Sequence, residues 1–130
     1  MPSHIALTTY LVRDYDEAIC WFQAALGFKL FEDSEMGGGK RWVVMGPDSE
    51  SGARFLLAKA ANVEQAAAVG KAAGGRVAYF LHTDDFARDH AKMLAAAVTF
   101  IESPRRESYG TVAVFEDLYG NRWDLLQPET

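Results

Sequence analysis

The chain has 130 residues, 49% of them hydrophobic and 24% charged, with a formal net charge of −5 at pH 7. That length supports one domain with a real core, and the acidic balance argues against nucleic acid or an anionic membrane as a partner. No apolar run approaches the roughly 20 residues that span a bilayer, Met1-Pro2-Ser3-His4 lacks the regions of a secretion signal, and the single cysteine, Cys20, cannot form an internal disulfide, so a cytoplasmic protein is expected.

Residues 4–12, rich in Ile, Leu, Thr, Tyr and Val, read as a strand. Asp14 followed by Glu17 forms a capping-box pattern, Ile19, Phe22 and Leu26 give the helix an apolar stripe, and Gly27 stops it. This helix is expected to hold Cys20 in or near the core. Phe28 to Glu32 is a second strand, and Asp33 to Lys40, carrying Gly37-Gly38-Gly39, is a flexible hairpin connection. That glycine run lacks the Gly-Lys-Ser/Thr frame of a phosphate loop. Arg41 to Met45 and Arg54 to Ala58 are two more strands, joined by the turn-rich segment from Gly46 to Gly52. Asn62 to Ala73 is Ala-rich and reads as a short helix or ordered linker.

Val77 to Leu81 starts the pattern again as a strand, and Asp84 or Asp85 caps a helix running to about Ala96. Val98 to Ile101 is a strand, Ser103 to Gly110 a polar loop, and Thr111 to Phe115 and Arg122 to Leu126 are the last two strands. The order β-α-β-β-β thus occurs twice, over residues of about 4–60 and about 76–128, with a linker of about 61–75. Residue matches support a duplication. Gly52-Ala53-Arg54-Phe55-Leu56-Leu57 and Gly120-Asn121-Arg122-Trp123-Asp124-Leu125 share the frame Gly-x-Arg-aromatic-x-Leu. Tyr10-Leu11-Val12-Arg13-Asp14 and Phe80-Leu81-His82-Thr83-Asp84 match at nearly the same lag.

Paired modules of this kind, a helix ending Ala25-Leu26-Gly27-Phe28, and a terminal Phe115-Glu116-Asp117-x-x-Gly120-Asn121-x-x-Asp124-Leu125 resemble the vicinal oxygen chelate superfamily. That superfamily includes glyoxalase I, extradiol dioxygenases, and fosfomycin- and bleomycin-resistance proteins, and the resemblance covers essentially the whole chain. It implies a single α+β domain of two tandem βαβββ modules forming a cupped mixed β-sheet with helices on the outer face, in a homodimer. It also implies metal ligands, His or Glu, at four equivalent strand positions. In register these fall on Leu7 (or Thr8 if the strand slips by one), Leu56, Ala78 and Asp124. One carboxylate among apolar residues should bind a divalent ion poorly, so no metal and no cofactor are expected.

Strand alternation puts Leu7 and Thr9, Arg54 and Leu56, Ala78, Phe80 and His82, and Arg122 and Asp124 on the inner faces. The candidate binding residues are Thr9, Trp42, Arg54, Leu56, Phe80, Tyr109 and Arg122, with Asp124 and His82 as candidate acid–base groups. Arg54 or Arg122 can hold a carboxylate or phenolate by bidentate hydrogen bonds, or each is a strand-end arginine paired with an acid or solvated. Asp124 beside Trp123, Leu125 and Leu126 should have a partner or a raised pKa. It is either a general base or ligand anchor, or a structural ion pair with Arg122 or Arg41. Tyr109 is a pocket wall, as an aromatic-Gly pair is in bleomycin-binding relatives, and Arg105 and Arg106 either guide an anionic ligand or are solvated. His4 alternates to the opposite face from Leu7, and His90 falls on the second helix.

The leading expectation is a metal-independent protein that binds, and either sequesters or transforms, a small aromatic or amphipathic organic molecule. The alternatives are a divalent-metal-dependent lyase, isomerase or dioxygenase with a displaced site built around Asp124, and a non-catalytic dimeric scaffold.

Overall fold

Residues 2–130 are described by a computed structural model, in which the chain divides into two units, one ending at Val69 and one running from Gly70 to Thr130. In the first unit, β1 (Leu7–Val12) runs parallel to β4 (Arg54–Lys59), and β3 (Lys40–Gly46) joins β4 to β2 (Lys29–Gly37) antiparallel, giving the order β1-β4-β3-β2. The helix α1 (Tyr15–Leu26) starts where its cap predicts, with the Asp14 carboxylate accepting the Glu17 N–H at 2.8 Å. It ends at Gly27, whose φ of 66° is one that a side chain would oppose.

The helix buries Ala18, Ile19, Phe22 and Ala25 against the sheet. The Phe22 ring, fully enclosed, meets Tyr10 at 5.2 Å, Phe28 at 5.2 Å and Phe55 at 6.0 Å between centroids. A ring in such a place contributes about 3–5 kcal/mol over alanine. Cys20 is exposed, contrary to expectation. At about 100° per residue it falls on the side of α1 away from Ala18, Phe22 and Ala25, which form the seam. Because Tyr10, Val12, Phe55 and Leu57 face α1, alternation turns Leu7, Thr9, Arg54 and Leu56 to the opposite side of the sheet.

The segment from Asp33 to Lys40 is not a flexible connection. β2 continues to Gly37, with Ser34 opposite Trp42 and Glu35 opposite Arg41. The Arg41 guanidinium holds Asp33 at 2.7 Å and Asp16 at 3.0 Å, and only Gly38 and Gly39, both at positive φ, make the turn. Nearer the start of β2, Leu30 pairs with Met45 and Glu32 with Val44, so Phe31 is an extra residue in a bulge.

In the second unit, β5 (Val77–His82) runs parallel to β9 (Arg122–Pro128). β8 (Gly110–Glu116) pairs antiparallel with β9, and both β6 (Thr99–Phe100) and β7 (Arg105–Glu107) pair with β8. Each module therefore has its own mixed sheet. The polar loop expected over Ser103 to Gly110 contains β7, because Arg105 and Arg106 pair opposite Val112 and Thr111. The linker contains α2 (Val63–Ala68), capped by Asn62, in the first unit, and a 3₁₀ turn over Ala72–Gly75 in the second.

Of the two acids before α3 (Phe86–Ala95), Asp85 is the cap, accepting the Arg88 N–H at 3.1 Å. A run of rings joins this helix to its sheet: Phe86, His90, Phe100, Phe115, Trp123 and Tyr79 meet in succession at 4.6 to 5.6 Å. His90 is thus a packing residue. At the turn before β9, buried Asp117 accepts from the backbone N–H groups of Tyr119 and Asn121, from Asn121 Nδ2, and from Trp123 Nε1 at 2.9 Å. This explains the spacing of the terminal motif: Asp117 anchors the turn that aims β9. Among the described residues no helix is long and apolar enough to cross a membrane.

Candidate functional site

Trp123 and Leu125 of β9 pack towards α3, so Asp124 between them emerges on the sheet's other face. Its register neighbours there are Phe80 on β5 and Val114 on β8. Asp124 is only 8% exposed. Its Oδ1 is, among the described residues, the one buried side-chain nitrogen or oxygen without a hydrogen-bond partner. Burial pushes its carboxyl above the ordinary range, the Arg105 cation pulls it back, and the Glu102 carboxylate pushes it further up.

Arg105 has other engagements. Its Nε donates to Glu102 at 3.1 Å, and its Nη1 to Glu107 and, at 3.3 Å, to the Tyr109 hydroxyl. Glu102 also accepts the Val114 N–H at 3.1 Å. Neither ion pair considered for Asp124 forms: Arg122 is exposed on β9, and Arg41 is committed to Asp33 and Asp16. Arg105 and Arg106 are not simply solvated either, since Arg106 pairs with Glu129 at 2.7 Å.

Phe80, on the edge strand β5 and opposite the buried carboxylate, is 61% exposed, and Tyr109 is 49% exposed. His82 is exposed at the end of β5, opposite Leu126 and not Asp124, and no hydrogen bond joins it to Asp124. Sequence reasoning missed Glu102. The acid–base–acid run of Glu102, Arg105 and Glu107 was a signal, but reading the segment as a loop concealed that β7 pairs with β8, the strand that also pairs with β9.

In the first unit, Thr9 lies in register with Leu56, Leu56 with Val44, and Leu7 with Arg54. Two pockets open on this unit. One, of about 780 Å³, is lined by Leu7, Thr8, Trp42, Val44, Arg54 and Glu32 among others. The other, of about 540 Å³, includes Tyr15, Trp42, Leu56 and Gln65. Both volumes lie in the range of small-molecule sites. Trp42 lines both, and Thr9 is exposed on β1. Sequence reasoning also missed Phe31, whose bulge no local pattern announces.

The donor set does not fit a divalent metal. Of the positions that the resemblance assigns to ligands, Leu7, Leu56 and Ala78 present hydrocarbon, Thr8 a hydroxyl, and Asp124 a single carboxylate. Among the described residues no three His, Cys, Asp or Glu side chains gather to hold an ion.

Two βαβββ modules, each with a mixed sheet that has its first strand parallel to its last, define a protein of the glyoxalase-like α+β class. The family model described as "Glyoxalase/Bleomycin resistance protein/Dioxygenase superfamily" matches residues 3–125, and the chain belongs to that superfamily. It is 51% identical over 125 residues to an uncharacterised protein of Shewanella frigidimarina (strain NCIMB 400), covering 95% of this chain and 90% of that one. Its structure is similar to that of UcmS2, with a TM-score of 0.82 and 29% identity, covering 97% of this chain and 98% of that one. It is also similar to TnmS3, described as an antibiotic-binding protein from Streptomyces sp. CB03234, with a TM-score of 0.80 and 26% identity over 98% of each chain.

Proposed function

We propose that the chain is a metal-independent, homodimeric binding protein for a small aromatic or amphipathic organic molecule, and that Asp124 is the polar anchor. The observation that carries this reading is the Asp124 carboxylate itself, buried beside Phe80 and Val114 with Oδ1 unpartnered. An unmet buried acceptor costs about 1–3 kcal/mol, and a ligand hydroxyl or N–H that donates to it would recover part of that. Phe80 offers an aromatic surface alongside, with Tyr109, His82 and Arg122 at the margins. The first unit has a surface of its own that could face a ligand, formed by Thr9, Trp42, Arg54 and Leu56. The likeness to TnmS3 supports a binding role over a scaffold. Binding is favoured over turnover because His82 stands apart from Asp124 and Tyr109 is held by Arg105.

The test uses 2-naphthol, which can donate to Asp124, and 2-methoxynaphthalene, which cannot. Thermal protection and equilibrium dialysis should show tighter binding of the naphthol and its return unchanged. Asp124→Ala should remove the difference while sedimentation still gives a dimer. A folded Asp124→Ala protein that binds both probes as the parent does refutes the assignment.

A further inference from the structure

The pocket of about 780 Å³ contains a cation whose hydrogen-bonding capacity is unspent. The Arg54 guanidinium carbon lies 3.4 Å from the centroid of the Phe31 ring. Phe31 is the extra residue of the β2 bulge, and a bulge re-aims its side chain; here the ring becomes a seat for the cation. A contact of the cation with a ring uses no acceptor atom, so the guanidinium's N–H donors remain open to another group. Among the described residues no carboxylate lies within ion-pair distance of Arg54, and no hydrogen bond engages its guanidinium. Arg41, Arg88, Arg105 and Arg106 each grip an acid, while Arg76 and Arg122 are exposed; Arg54 is half-buried.

The surroundings narrow what this cation would take. Leu7, Val44 and Trp42 give apolar and aromatic walls, and Glu32 and Glu50 also line the pocket. Those acids oppose a multiply charged anion but accept from ligand hydroxyl groups. From the stacked, unspent guanidinium and these walls, we infer that the first unit's pocket binds a planar aromatic monocarboxylate, with Arg54 pairing bidentately with the carboxylate and Trp42 flanking the ring. The inference rests on the ligand-binding reading only in taking this side of the sheet as a ligand surface, and it does not require Asp124.

The probes are 2-naphthoate and 2-naphthamide, equal in shape and different in charge, titrated calorimetrically into the full-length protein. The acid should bind at least tenfold more tightly than the amide, and added salt should weaken the acid alone. Arg54→Met should abolish the preference by weakening the acid far more than the amide. Arg54→Lys, a charge without the flat donor fork, should recover only part of it. Equal binding of acid and amide to the parent protein overturns the anion inference and leaves the general reading standing, as does a preference that survives in Arg54→Met. Failure of both probes to bind the parent overturns this inference and the ligand role of the face together.

Discussion

Asp124→Asn should stabilise the protein at neutral pH, and the gain should fade in acid. The substitution keeps the side chain's shape and removes its charge from a position that is 8% exposed and has one oxygen unpartnered. Burial raises the folded-state pKa above the unfolded one, so between the two values the folded state holds the extra proton. Stability contributed by the aspartate therefore falls as pH rises through that interval, and the penalty is complete above it. Asparagine carries no such penalty. At pH 7 the gain should be on the order of 1 kcal/mol, because the variant removes a buried charge while keeping a polar group in its place, or about 3–4 °C in melting temperature for a chain of this length. Near pH 4, close to the ordinary aspartate pKa of about 3.9, the two proteins should converge. Paired thermal melts at pH 4, 5.5 and 7 measure the difference directly, and comparing variants cancels the titration of groups that do not interact with position 124. A variant less stable than the parent at pH 7, or a gain independent of pH, refutes the claim that Asp124 is ionised at a cost.

Asp117→Ala should have the opposite effect. It strips the acceptor from four donors, including Trp123 Nε1, and should cost about 3 kcal/mol or more, read as a lower urea midpoint; an unchanged midpoint would show that the turn does not depend on it. Elemental mass spectrometry on untagged protein purified without chelator should find metal far below one ion per chain, and near-stoichiometric zinc, nickel, iron or manganese would overturn the donor-set argument.

Local signals in the sequence were legible and nonlocal ones were not. The Asp14 cap, the Gly27 stop and the Phe22 seam each depend on residues within one helix, and all three appear as expected. The frame shared by Arg54 and Arg122 was also legible, but the second match slips by one: Tyr10 lies opposite Leu57 and Phe80 opposite Asp124, because β5 shifts register between Val77 and Tyr79. The extension of β2 was missed because three glycines dominate its composition while its order comes from Arg41, eight residues from Asp33. β7 was missed for a related reason: its three residues are charged or polar, and only β8 makes them a strand. Arg105 could not be identified as the cation nearest in influence to Asp124, because that depends on how β7 is laid beside β8. The choice between Asp84 and Asp85 as cap depended on one backbone geometry that either residue could supply.

The divergence between the two copies is itself an argument for function. The repeated frame gives each module an arginine and, two residues later, a second position on the same face of its last strand. In the first module the arginine is half-buried on Phe31 and the second position is Leu56. In the second module the arginine, Arg122, is exposed and the second position is the buried Asp124. Packing alone does not explain this, since Leu at position 124 would fill the same slot without an unmet oxygen, and an arginine free in solvent needs no aromatic seat. The two copies thus carry opposite charges at their distinctive positions, an unmet buried carboxylate in the second and a guanidinium seated on a ring in the first. The two tests are separable because Arg54 lies in the first unit and Asp124 in the second: Asp124 reports on a hydrogen-bond donor, and Arg54 on a carboxylate.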